Sequence, residues 1–319
     1  MTTKTIEIPA VALDGSSGGS RWLTAFAWGT LAFNVAVILW GAYVRFSGSG
    51  AGCGNQWPLC AGVTSHPKIQ TLIEFTHRMS SAAALVSVLC LWFWTRLKMP
   101  TKHPSRYAAA AALLLIVNEA FLGAFLVLFE HVAQDKSLAH TVSLSLHSMN
   151  TMLLLGAITL TAFWTGKPSS NLIQWPPANK TLTSSLILIV LLTGTTGAMA
   201  ALADTLFPAA SLGSSFLQDF SSQSHYLLRL RILHPVTAVI GTLLMAWLLA
   251  SISRTGNKSL KRLASLVSFI FLLQLALGVL NILLLAPMWL QMTHLLTADL
   301  LWISLVLLTA TSLSTPGTR

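Results

Sequence analysis

Four histidines, His77, His147, His234 and His294, stand near the starts of alternate apolar segments in a chain of 319 residues. A polar side chain a few residues inside a stretch long enough to cross a bilayer is costly and functional by default. Neutral imidazole in such a place has its simplest use as a metal ligand, and two pairs of axial imidazoles suit two haems. The competing use is a hydrogen bond to a neighbouring helix, but four histidines in two matched pairs favour ligation. His140 lies seven residues before His147, on the same helical face, and nearer the aqueous end, which favours His147 as the ligand.

Other ionisable groups accompany them. Glu74, three residues before His77, shares its helical face and is either a helix-start acid or a carboxylate beside a haem, available for proton transfer. Leu230 and Arg231 stand in the corresponding place before His234, so the two halves are expected to do different jobs. Arg45, Arg78, Arg229 and Arg231 lie at helix ends on the histidine side, where guanidinium suits the propionates of a haem; snorkelling to lipid phosphate is the alternative. Glu119 and Asp299 fall inside apolar segments, either hydrogen-bonded within a bundle or functional. His66, His103, His131 and His225 belong to loops and are expected to be solvated.

The elements that must position these groups are membrane helices. With 54% hydrophobic and 9% charged residues and a mean hydropathy of +0.70, the composition is that of a polytopic membrane protein. Eight apolar runs are long enough to span, near 22–45, 71–97, 106–130, 138–165, 181–203, 229–251, 261–286 and 289–313. The net charge of +10 is scattered through short loops, which argues for topology and against nucleic acid. With the N-terminus cytoplasmic, thirteen of the nineteen basic residues fall on the inner side, leaving Arg45, Lys68, Arg78, Lys136, Arg229 and Arg231 outside. Both termini are therefore expected in the cytoplasm, and the four histidines then lie at one depth.

A weak repeat relates residues 22–165 to 181–313. Gly41-Ala42 in the first span matches Gly194 to Ala198 in the fifth, and Glu119 with Gly123 matches Gln274 with Gly278. The expected fold is all-α, with eight transmembrane helices as two pseudo-symmetric four-helix bundles holding cofactors between facing helices. The expected division is a disordered cytoplasmic tail at 1–20, a first bundle at 21–166, a cytoplasmic linker at 167–180 and a second bundle at 181–319. Cys53 and Cys60, in the first outer loop, are a disulfide or two free thiols; Cys90 reads as an ordinary packed side chain.

The segment from Val44-Arg45-Phe46-Ser47 through Gly52-Cys53, with Trp57-Pro58-Leu59-Cys60 after it, resembles the first outer loop of the haem A synthases. Glu74-Phe75-Thr76-His77-Arg78 resembles that family's Glu-x-x-His-Arg signature, and the likeness runs on through Leu233-His234-Pro235 and His294. The resemblance implies an oxidoreductase of the cell inner membrane that oxidises the C8 methyl group of haem O to a formyl group, giving haem A for terminal oxidases. It implies that His77 and His147 flank haem O, that His234 and His294 ligate a haem b cofactor, that Glu74 is near the reacting site, and that Cys53 and Cys60 form the outer-loop pair. Haem O synthase, oxidase assembly factors and an electron donor are the implied partners. One departure stands out: residues 204–228 lack the second cysteine pair of some members. The rival reading is a non-enzymatic dihaem b-type cytochrome; haem farnesyltransferase calls for clustered aspartates to hold Mg²⁺, which the chain lacks.

Overall fold

A computed structural model describes residues 17–60, 67–167, 180–254 and 257–314. The expected tail lies outside them up to residue 16, as does the expected linker from 168 to 179. In lipid every backbone polar group must be satisfied internally, and the long apolar stretches among the described residues are accordingly helical. The spans are formed by α1 (Ser17–Phe46), α2 (Ile69–Lys98), α3 (Pro104–Leu128), α4 (Leu138–Thr165), α5 (Lys180–Leu206), the pair α7 (Tyr226–Leu230) and α8 (Leu233–Ser253), α9 (Lys258–Leu283) and α10 (Met288–Ser314). Eight of these stretches are long and apolar enough to cross a membrane. Interior hydroxyls bond back to their own helix, as Thr159 does to the Leu155 carbonyl at 2.7 Å and Thr161 to that of Ala157 at 2.8 Å.

Two features were not expected. The sixth span is broken between Leu230 and Leu233, because Pro235 has no N–H and its ring crowds the carbonyl four residues earlier. His234 therefore stands in the first turn of a new helix. In addition, α6 (Leu212–Phe220) forms in the loop between α5 and α7. It starts at a capping box in which Ser211 accepts from the Ser214 amide at 3.2 Å and donates its own amide to Ser214 Oγ at 3.0 Å.

The packing pattern repeats. α1 packs on α2, α2 on α3, α3 on α4 and α4 on α1; α5 packs on α8, α8 on α9, α9 on α10 and α10 on α5. The seam between the halves is made by α4 with α5 and α10, and by α1 with α10. There Trp302 donates to the Met152 carbonyl at 2.7 Å, and Gly156 makes room for the Trp302 ring, 3.4 Å from where a Cβ would stand. Leu155 and Ile158 of α4 and Leu305 and Leu308 of α10 are buried in one apolar core cluster, while Leu114, Phe121, Leu243 and Phe269 are exposed, as lipid-facing side chains are.

Two expectations about single residues are corrected. Cys90 is a free thiol on the exposed face of α2, because the outer face of a spanning helix is as apolar as its inner face and composition does not tell them apart. His103 is buried and not solvated: it caps α3, accepting from the Ser105 amide at 3.3 Å, with its other nitrogen 3.3 Å from the Lys167 carbonyl.

Candidate functional site

The second half brings its two histidines together. The rings of His234 on α8 and His294 on α10 lie with centroids 6.3 Å apart and planes at 89°. Two metal–imidazole bonds of about 2 Å, with the centroid roughly an ångström behind each nitrogen, require a separation of roughly 6 Å. His234 Nδ1 is 3.1 Å from the Thr193 carbonyl, the kind of bond that fixes a ligand tautomer and leaves Nε2 for a metal. His294 Nε2 lies 3.2 Å from Gln274 Nε2 of α9, and its Nδ1 is buried without a hydrogen-bond partner among the described residues. The spacing of the two rings fits a haem iron held between them, with the Gln274 amide giving up His294 Nε2 to the metal.

Glycines make room for the rings. A Cβ at Gly197 on α5 would stand 3.0 Å from His234 Cε1, and one at Gly278 on α9 would stand 3.3 Å from His294 Cε1. The first half repeats the first of these contacts: a Cβ at Gly41 on α1 would stand 2.8 Å from His77 Cε1. The positions also match, since His77 is eight residues into its span (69 to 77) and His234 eight into its own (226 to 234).

In the first half, His147 of α4 is an electrostatic neighbour of His77, and both carry a buried Nδ1 without a hydrogen bond among the described residues. Glu119 of α3 places Oε1 3.5 Å from His147 Nδ1, within reach of charge but off the hydrogen-bond line. Thr151 and Asn150 donate to the same carboxylate. Asn150 in turn donates to the Leu115 carbonyl at 2.9 Å and accepts from Asn118 at 2.8 Å, so one of the two groups that hold the acid is itself fixed. His140 is occupied elsewhere, with Nδ1 2.7 Å from the Asp135 carbonyl at the start of α4. Asp299 is buried on α10 with Oδ2 unpartnered among the described residues.

Glu74 is buried beneath the first loop. Its Oε2 accepts from the Cys53 amide at 2.7 Å, and its Oε1 is paired with Arg78, whose Nε lies at 3.1 Å. Arg78 also donates to the Gln56 carbonyl and, at 3.4 Å, to that of Leu59. Cys53 and Cys60 form a disulfide with Cα atoms 5.0 Å apart. The loop is thus tied to α2 from both sides of that bridge. Gly52 is needed for the approach, because a Cβ there would meet the Gln70 carbonyl oxygen at 2.5 Å.

The remaining arginines differ among themselves. Arg45 donates to the Ala198 carbonyl of α5 at 3.4 Å and lies 4.3 Å over the Phe46 ring, so it bridges the halves. Arg229 is exposed. Arg231 is held by Asp204 at 2.6 Å, Asp219 at 2.7 Å and Ser215 Oγ at 2.8 Å. Sequence reasoning missed the Thr193 carbonyl, a backbone group with no side-chain signature, and the two aspartates, Asp204 near the end of α5 and Asp219 within α6, a helix not foreseen.

The sequence pattern of the COX15-CtaA family, the cytochrome oxidase assembly proteins, matches residues 24–71 and 64–306, taking in all four histidines and both loop cysteines. The chain belongs to this family. Heme A synthases of Alkalihalophilus pseudofirmus and Halalkalibacterium halodurans are 38% identical over 136 residues and 36% over 148, covering 41% and 45% of this chain and 43% and 45% of their own. A protein of Thermus thermophilus named protoheme IX farnesyltransferase is 38% identical over 300 residues, 93% of this chain and 49% of its own length. The chain spans about half the length of the curated relatives it matches. The cytochrome oxidase assembly family thus covers both histidine pairs, whereas the heme A synthases named match less than half of the chain.

Proposed function

We propose that this protein oxidises the C8 methyl group of haem O to a formyl group, producing haem A for terminal oxidases. The observation that carries the reading is the opposed pair His234 and His294, at the spacing of two axial ligands. The heme A synthases among its relatives support the reaction.

On this reading His234 and His294 hold haem b, which supplies one-electron redox chemistry when bound. His77 and His147 receive the substrate haem O. The change from methyl to formyl removes four electrons, so two sites in adjacent bundles suit a stepwise relay. Glu119 orients His147 from behind the ring, as a carboxylate commonly does for a metal-bound imidazole. Glu74 serves the reacting site by fixing the loop above it through the Cys53 amide and Arg78. Exposed Arg229 is placed to turn towards propionates, and Arg45 reaches them by giving up one long bond to the Ala198 carbonyl; Arg78 and Arg231 are held by carboxylates, so their part is to set the loop positions. The surrounding spans exclude water from reactive intermediates and admit a prenylated substrate from the lipid side.

The name of the Thermus relative belongs to a protein about twice as long. Prenyl transfer calls for carboxylates around Mg²⁺, and among the described residues no group of three or more His, Cys, Asp or Glu is placed to hold a metal ion. We assign that activity to the part of the Thermus protein outside the match, and place a prenyl transferase immediately before this chain in the reaction sequence. The protein resides in the cell inner membrane with both termini cytoplasmic. The deciding experiment is expression in cells that make haem O but no haem A, followed by mass spectrometry of extracted haems. A formyl product is expected; haem b alone, with haem O present and unchanged, returns the protein to the class of electron carriers.

A further inference from the structure

We infer that α6 lies in the membrane interface, with its apolar face in lipid. The helix is inside out by the standard of a helix on a soluble protein. Gly213, Phe216, Leu217 and Phe220, at the spacing i, i+3, i+4, i+7 of a single face, are led outward by the three large side chains, which are exposed by 54%, 75% and 72%. No residue of α6 is buried. Its opposite face is polar and turned inward: Arg231 reaches it through Asp219, Ser215 Oγ and, at 3.1 Å, the Ser215 carbonyl, while gripping Asp204 at the end of α5.

A nine-residue helix is marginal by itself in water, and a surface helix there buries its apolar face. Here polar bonds join the helix to the bundle and the apolar face is left outward, as on the spans themselves. The place is consistent with this, because only residues 207–211 separate α6 from the end of α5 and only residues 221–225 from α7, and both neighbours belong to stretches long and apolar enough to cross a membrane. A lipid interface is therefore the occupant, in the manner of an amphipathic helix lying in the plane of the headgroup and acyl boundary. The Arg231 clamp sets the depth of the helix against the break that precedes His234.

The test is spin-label accessibility on the full chain in nanodiscs holding one protomer, with Cys90→Ser as background. Leu217→Cys and, separately, Phe220→Cys are labelled and compared with Gln223→Cys in the following loop and Leu114→Cys on the outer face of α3. The ratio of oxygen to nickel-chelate accessibility is expected to be several-fold higher at 217 and 220 than at 223, and to approach that at 114. A ratio equal to that at 223 overturns the proposal. Low accessibility to both reagents at 217 and 220 also overturns it, in favour of a protein contact. Failure to find haem A production leaves this measurement unaffected.

Discussion

Glu119 and His147 meet across the contact of α3 with α4, Oε1 lying 3.5 Å from Nδ1. In the second half the corresponding residue is Gln274, whose amide nitrogen is 3.2 Å from His294 Nε2. One half thus sets a carboxyl group beside a histidine ring and the other an amide. Glu119→Gln is expected to weaken haem binding in the first half by about 10-fold and to shift the reduction potential of that haem upward, with the second haem unmoved. Redox titration of the purified protein checks this; equal shifts at both haems, or none, remove the assignment.

His234→Ala or His294→Ala should abolish haem b binding, because a single axial imidazole is left on that side. Extraction and quantification of haem b read the outcome. Full retention in either variant is incompatible with the proposed ligand pair.

Gly41→Ala and Gly197→Ala should each disturb a histidine, since the added methyl would stand 2.8 Å from His77 Cε1 and 3.0 Å from His234 Cε1. Overpacking of this kind costs about 1–3 kcal/mol, and His234 is further restrained by its bond to Thr193. Gly29→Ala is the control: nothing lies within 4 Å of its Cβ position, and Ala stabilises a helix interior by about 0.5–1 kcal/mol. Thermal midpoints and haem content should fall for the first two and not for the third.

Glu74→Ala leaves the Arg78 guanidinium and the Cys53 amide without their buried acceptor. Removing one partner of a buried pair costs about 3–5 kcal/mol, and we expect loosening of the first loop, slower product formation and retained haem b. Limited proteolysis within residues 47–60, read beside turnover, measures both effects. Normal turnover with an intact loop would contradict the role given to Glu74.

Asp135 supplies a pH dependence in the loop before α4. Burial raises its pKa, but the Ser137 amide at 2.9 Å, the Ser137 hydroxyl at 2.8 Å and His131 outweigh that and leave it lowered. Since folding depresses this pKa, its contribution is complete above the usual carboxylate value of about 4 and is lost as pH falls through the lower folded value. Protection of the amides around residues 131–140, taken relative to their intrinsic exchange rates, should therefore fall below about pH 4 in the native protein. In Asp135→Asn it should be low at every pH, and a flat native protection profile would refute the linkage.

The sequence by itself determined the eight spans, the repeat and the four histidines, because a bilayer punishes polar groups so strongly that each survivor marks a use. The span of α4, 138–165, was legible to the residue from apolar length alone. It also singled out Gly41, Gly197 and Gly278 without a reason; tertiary structure supplied one, the room each leaves for an imidazole on a neighbouring helix. The sequence favoured His147 over His140 by depth alone, since both share a helical face; the folded chain sets His147 near His77 and ties His140 to the preceding loop. Only it paired Arg231 with Asp204 and Asp219 and turned α6 inside out. Such contacts join residues distant in the chain, and their energies depend on which surface meets lipid, a property that belongs to the assembled bundle.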